Sequence, residues 1–167
     1  MRTSIRTIRF VAPALLAWLG CDPAGTSEPP RATPSAATTS APAVTRASIA
    51  IDDAHDTMKK GAPYSIAKAA ELVLDGSSHV FTGVDAAGFG RPNAIHVAHG
   101  PSEYYRATFD GRWPVTLGSR SLDPVKGGAF GGFEPGEYIV AVGAEGPSND
   151  GTMRFAPAWV TTVVVTP

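Results

Sequence analysis

The chain has 167 residues, 14 Lys plus Arg against 15 Asp plus Glu, a formal net charge of −1, and one cysteine. With no basic run longer than Lys59-Lys60, nucleic acid has no electrostatic footprint to recognise. A lone thiol excludes an internal disulfide and a cysteine-based metal cluster, so folding must rest on the core alone.

Residues 1–9 carry Arg2, Arg6 and Arg9 and no acid, and residues 10–19 form an apolar run that ends at Gly20-Cys21. A basic start, a short apolar stretch and a small residue at a cut are the layout of a secretory signal. Ten helical residues reach only about 15 Å, half of a ~30 Å hydrocarbon core, and Pro13 interrupts them, so a permanent membrane span is not expected. Leu19-Gly20-Cys21 resembles the end of bacterial lipoprotein signals, with Trp18 in place of the usual Leu, Val or Ile. That resemblance implies cleavage after residue 20 and acylation of Cys21. The alternative is ordinary secretion with a cut near Ala24, which discards the cysteine. On the first reading residues 1–20 are the signal and the protein is exported and lipid-anchored to the cell envelope.

Residues 21–46 are rich in Pro, Ala, Thr and Ser, with Val44 the only large aliphatic. Such a segment cannot bury enough apolar surface to offset its ordering entropy, and it reads as a disordered tether. Three of the basic residues leave with the signal, so the chain from Cys21 onward is mildly acidic, with eleven bases against fifteen acids.

Residues 47–167 are long enough for one compact domain. Short apolar or alternating runs recur at 47–51, 70–74, 79–84, 94–98, 104–109, 113–117, 138–142 and 159–166. Gly, Pro, Asn and Asp punctuate them, as at Asp75-Gly76, Asp110-Gly111 and Asn149-Asp150-Gly151. Evenly spaced short strands predict an all-β, antiparallel sandwich or barrel. Glu134-Pro135-Gly136-Glu137 predicts a type II turn, after which Tyr138, Val140 and Val142 share one face. The stretch 65–74 stays open between two readings. Ile66, Ala69, Ala70, Val73 and Leu74 make a helical stripe behind a Ser65 N-cap, while residues 72–76 read as a strand entering a turn.

Several of these residues together resemble the carboxypeptidase regulatory-like domains, prealbumin-type sandwiches of bacterial envelope proteins. They are Gly83-Val84-Asp85 with Gly88 and Pro92, then Ala94 and Val97, then Asp110-Gly111-Arg112-Trp113, and Phe133-Glu134-Pro135-Gly136-Glu137-Tyr138-Ile139-Val140. The resemblance implies a single Ig-like or prealbumin-like sandwich with no catalytic residues and no cofactor, acting as a binding or structural module. An insertion at 118–132 departs from the pattern.

Few residues carry recognisable chemistry. His96 and His99, with His79 as a third, are the candidates for a small copper or zinc site. However, side chains three apart on a strand point to opposite faces. Asp52, Asp53, His55 and Asp56 can supply oxygen to a hard cation or simply solvate a strand end, and they lack the spacing of a calcium loop. Ser65-Ile-Ala-Lys68 matches S-x-x-K without its partner motifs. Phe130 and Phe133 in "GGAFGGFEPG" either plug the core or present rings to a partner. With Asn149 and Asp150 in the loop at 146–151, they are the sequence's candidates for contact with an envelope protein or glycan.

Overall fold

The computed structural model describes residues 43–79, 81 and 90–167. Expectations that fall on 1–42, 80 or 82–89 lie outside the described residues; they include the signal, Cys21, most of the tether and most of a strand at 79–84. The rest forms nine strands: β1 (Arg46–Ala50), β2 (Tyr64–Ala67), β3 (Glu71–Asp75), β4 (Ala94–His99), β5 (Glu103–Thr108), β6 (Val115–Gly118), β7 (Asp123–Lys126), β8 (Gly136–Pro147) and β9 (Met153–Thr166). They build a three-stranded sheet in the order β1-β3-β6 and a six-stranded sheet in the order β2-β9-β8-β4-β5-β7. Among the described residues there is no α-helix, and no helix long and apolar enough to cross a membrane.

Alternation along the strands explains the core. Ile49, Leu72, Leu74 and Leu117 from the smaller sheet meet Ile95, Val97, Val140, Val142 and Val163 from the larger one in a single buried cluster. Tyr138, Val140 and Val142 do share the inner face, and Trp159, Thr161, Val163 and Val165 repeat the period of two on β9. The two polar groups that enter on β9 are satisfied. Trp159 Nε1 donates to Asp52 O at 3.2 Å, and Thr161 Oγ1 donates to His55 O at 2.7 Å. These bonds clamp two short 3-10 turns, Asp53–His55 and Thr57–Lys59, beside β9. Asp52 and Asp56, read from the sequence as cation ligands or a solvated strand end, instead cap those turns by accepting from His55 N and Met58 N.

The structure departs from the sequence reading in five places. The sheets are mixed rather than purely antiparallel, since β1 pairs with β3 and β2 with β9 in parallel. No helical crossover is needed because the chain passes from β1 to β3 through β2, which lies in the other sheet. The helical stripe at 65–74 is two strands, because β2 buries Ile66 and β3 buries Leu72 and Leu74 at the spacing of a strand. β7 escaped notice because all four of its residues are exposed, leaving no apolar pattern; Pro124 fits its place at a sheet edge. Finally, Gly136 opens β8 at φ 153, well away from the value of about +80° that a type II turn requires. A Cβ there would lie 2.8 Å from His99 Nε2, so it is the absence of a side chain that matters. The domain also begins slightly earlier than the composition implied: Arg46 is already in β1, and Thr45 O accepts from Ala70 N and Glu71 N.

Phe130 and Phe133 take the core option. Phe133 is 0% exposed and Phe130 5%. Tyr105, Phe130, Phe133 and Tyr138 form a continuous chain of rings with centroids 5.0 to 5.2 Å apart, continued by His99 stacked on Tyr138 at 4.3 Å. Phe133 also bridges Ala69 through both backbone groups. Replacing Phe133 with Ala should therefore cost about 3–5 kcal/mol, as for other fully buried aromatic rings. Denaturant titration reads this directly, and a loss below about 0.5 kcal/mol would place the ring outside the core.

Candidate functional site

Two features stand out once the fold is drawn: a cleft at one end of the core and a polar network on the outer face of the larger sheet. The cleft lies at the end opposite the Phe130–Phe133 ring chain, where β3 and β5 finish and β4 and β6 begin. Its volume is about 290 Å³. The smaller sheet contributes the Gly76-Ser77 turn and Trp113, and the larger sheet contributes Arg91, Pro92 and Phe109.

Local sequence explains each wall. Asp75 accepts from Ser77 N at 3.0 Å and turns the chain, while the Ser77 hydroxyl helps hold the Asp75 pKa below its usual value. Gly76 is obligatory because a Cβ would sit 2.4 Å from Trp113 Cε2, so the indole rests on bare backbone. On the other side Asp110 accepts from Arg112 N at 3.1 Å and Gly111 takes φ 82, which turns the chain after β5 and delivers Trp113. Phe109 and Trp113 lie 4.7 Å apart and Phe81 and Trp113 6.0 Å apart, with ring planes tilted by 47° and 35°. His79 completes the row, 4.7 Å from Phe81, and its Nδ1 is 3.7 Å from Asp53 Oδ1.

The outer-face network centres on His96, which is 6% exposed. Phe155 stacks on its ring at 3.7 Å and Tyr104 meets it edge-on. The Tyr104 hydroxyl hydrogen-bonds Nδ1. With that phenol donating, the neutral ring carries its proton on Nε2, which faces Glu145 Oε2 at 3.8 Å, too far for a hydrogen bond. Arg106 Nε approaches the same carboxylate oxygen at 2.5 Å, but out of hydrogen-bond alignment, so His96 Nε2 and Glu145 Oε2 remain buried without hydrogen-bond partners. Burial holds the His96 pKa below 6.5; Glu145 opposes this and Arg106 reinforces it.

The three histidines proposed as metal ligands are therefore dispersed. His96 faces outward to Glu145, His99 turns inward onto Tyr138 with Glu103 Oε2 2.8 Å from its Nδ1, and His79 lines the cleft. Among the described residues no three of His, Cys, Asp and Glu converge on one point. Asp150 is likewise engaged, accepting from Thr152 N and Oγ1 at 3.0 and 2.6 Å and from Arg154 at 3.0 Å, with its pKa lowered chiefly by Thr152. Asn149 is exposed beside it in the β8–β9 turn.

Sequence reasoning found His79 for another purpose and missed Arg91, Phe81 and Phe109 as partners of Trp113. The one signal available was the Asp-Gly turn followed by an aromatic at 110–113, which marks Trp113 as held by a turn. No family model, characterised protein or solved structure matches the chain.

A pH dependence arises from His96. Its folded pKa is lowered, so the unfolded chain binds the proton more tightly and the native state is at full advantage above about pH 6.5. Stability should decline as pH falls below that value and level off once the native ring is itself protonated. Thermal or denaturant midpoints between pH 7.5 and 5 will show this slope, and His96→Gln should flatten it while Glu145, Arg106 and Tyr104 stay in place. An equal slope in the variant would assign the effect elsewhere.

Proposed function

We propose that this chain is an exported lipoprotein, anchored to the bacterial cell envelope through acylated Cys21, whose β domain is a non-catalytic binding module. The finer reading of the fold as an Ig-like, prealbumin-type sandwich belongs to the same proposal. The anchor is supported by the basic, apolar and Leu-Gly-Cys succession at the amino end. Two or three acyl chains, at about 0.8 kcal/mol per buried methylene, hold a protein to a bilayer far more firmly than one does.

The observation that carries the binding reading is the cleft. It is concave, ring-lined and furnished with a few polar groups, the ordinary make-up of a ligand site. Ser77, the one hydroxyl-bearing residue of the described lining, is directed to Asp75 rather than to His79, so the described lining presents recognition groups without an activated nucleophile. A partner from the envelope, either a glycan or a protein segment, fits the location. At the Phe130–Phe133 end the rings fill the core, and the depression outside them, lined by Lys68, Gly132 and Glu134, is smaller, at about 170 Å³.

Two measurements test the proposal. Cell fractionation should find the wild-type chain with membranes and Cys21→Ser in the soluble envelope fraction; a variant that stays with membranes removes the lipid anchor from the account. Titration of the isotope-labelled full chain with a panel of neutral glycans, acidic glycans and short peptides should move the Trp113 indole N–H resonance, assigned by its loss in Trp113→Phe. If no panel member moves it at millimolar concentration, the cleft is not a binding site.

A further inference from the structure

We propose that the cleft takes a carboxylated sugar ring, a hexuronate unit of an acidic glycan; this rests on the reading of the cleft as the binding site. Charge is the first argument. None of the described residues lining the cleft is acidic, although the body around it carries more acids than bases. Arg91 pairs with no acid among the described residues. Of the carboxylates nearby, Asp110 stands 3.6 Å from Arg112, while Asp53 holds Lys59 at 2.7 Å and flanks only the Nδ1 side of His79 at 3.7 Å. An unpaired guanidinium at the wall of an apolar cleft is a fork for a carboxylate, which it can hold with two parallel hydrogen bonds.

Ring geometry is the second argument. A flat aromatic acid is best held in a slot with parallel walls, whereas Phe81 and Phe109 are inclined to Trp113 by 35° and 47° and His79 to Phe81 by 56°. Walls inclined to one another suit a puckered ring whose C–H bonds point in several directions, and the electron-rich faces of Trp and Phe attract those polarised hydrogens. The third argument is the donor inventory. The Trp113 indole N–H has no partner among the described residues, and with Arg91 and His79 it supplies donors to the hydroxyl and carboxylate oxygens of such a ring. The volume of about 290 Å³ lies at the small end of ligand sites, so one or two sugar units are accommodated and longer glycans extend past the rim.

The test compares three probes on the full chain: digalacturonate, the neutral disaccharide maltose, and phenylacetate. Digalacturonate should shift the Trp113 indole resonance saturably. Arg91→Gln should weaken that binding roughly tenfold or more, the usual consequence of losing a charge-assisted hydrogen bond. Arg91→Lys should recover part of it, because the charge returns without the fork. Several outcomes overturn the inference: maltose binding as tightly as digalacturonate, phenylacetate binding more tightly than either, or digalacturonate binding unchanged by Arg91→Gln. If maltose or phenylacetate alone moves Trp113, the ligand class falls and the binding site stands. If no probe moves it, while a peptide or another glycan of the wider panel does, the result is the same; if nothing at all moves it, both fall. Arg91 lies on the surface, so the variant keeps the fold, and an unchanged denaturation midpoint verifies that.

Discussion

The ladder between β8 and β9 is the constraint on which the rest of the domain depends. It runs from Gly136 opposite Val165 to Pro147 opposite Met153, and those strands also hold β4 on one side and β2 on the other. Its inner faces bring Tyr138, Val140, Val142, Trp159 and Val163 into the core, and its outer faces bring Glu145 and Phe155 onto His96. The register shift between Val142 and Gly143 makes this division possible. A Cβ on Gly143 would stand 2.3 Å from Ala156 O, so only glycine lets the two strands close at that point. In a chain with one cysteine, near the amino end, no covalent staple shares this duty.

Given that ladder, the core is closed at one end and open at the other. The glycine-rich loop inserts Phe130 and Phe133 between the sheets, where Tyr105 and Tyr138 receive them edge-on or tilted, and the outward groups nearby settle into an exposed Lys68–Glu134 ion pair of 2.6 Å that contributes little. At the far end the rings are arranged differently. Trp113 leans on Gly76 and Phe109 and leaves space beside Arg91 and His79. Aromatic residues thus fill the core at one end of this small domain and leave ring surface lining a cleft at the other.

The outer face of the larger sheet is a place of polar strain. Phe155 covers His96, and Arg106 and Glu145 meet without an aligned hydrogen bond. Buried polar groups left half satisfied in this way cost more than exposed ones, and the lowered pKa of His96 is the titration signature of that cost.

Much of the architecture was readable from residue order. Alternation in residues 94–98, 104–109, 138–142 and 159–166 located the strands that bury one face, because burial imposes a period of two on any half-covered strand. Strands that bury little were invisible for the same reason: β7 has no inner face, and β2 has a single buried residue. Parallel pairing of β1 with β3 and of β2 with β9 was beyond reach, since it joins segments whose association no local pattern records. The sequence by itself determined that the domain is all-β, stapleless and mildly acidic, and it drew attention to Trp113 and to the Phe130–Phe133 pair. Only tertiary structure decided which of those rings is core and which is cleft. Whether an aromatic side chain ends in protein or in open space depends on what the other sheet places opposite it, and that neighbour is tens of residues away along the chain.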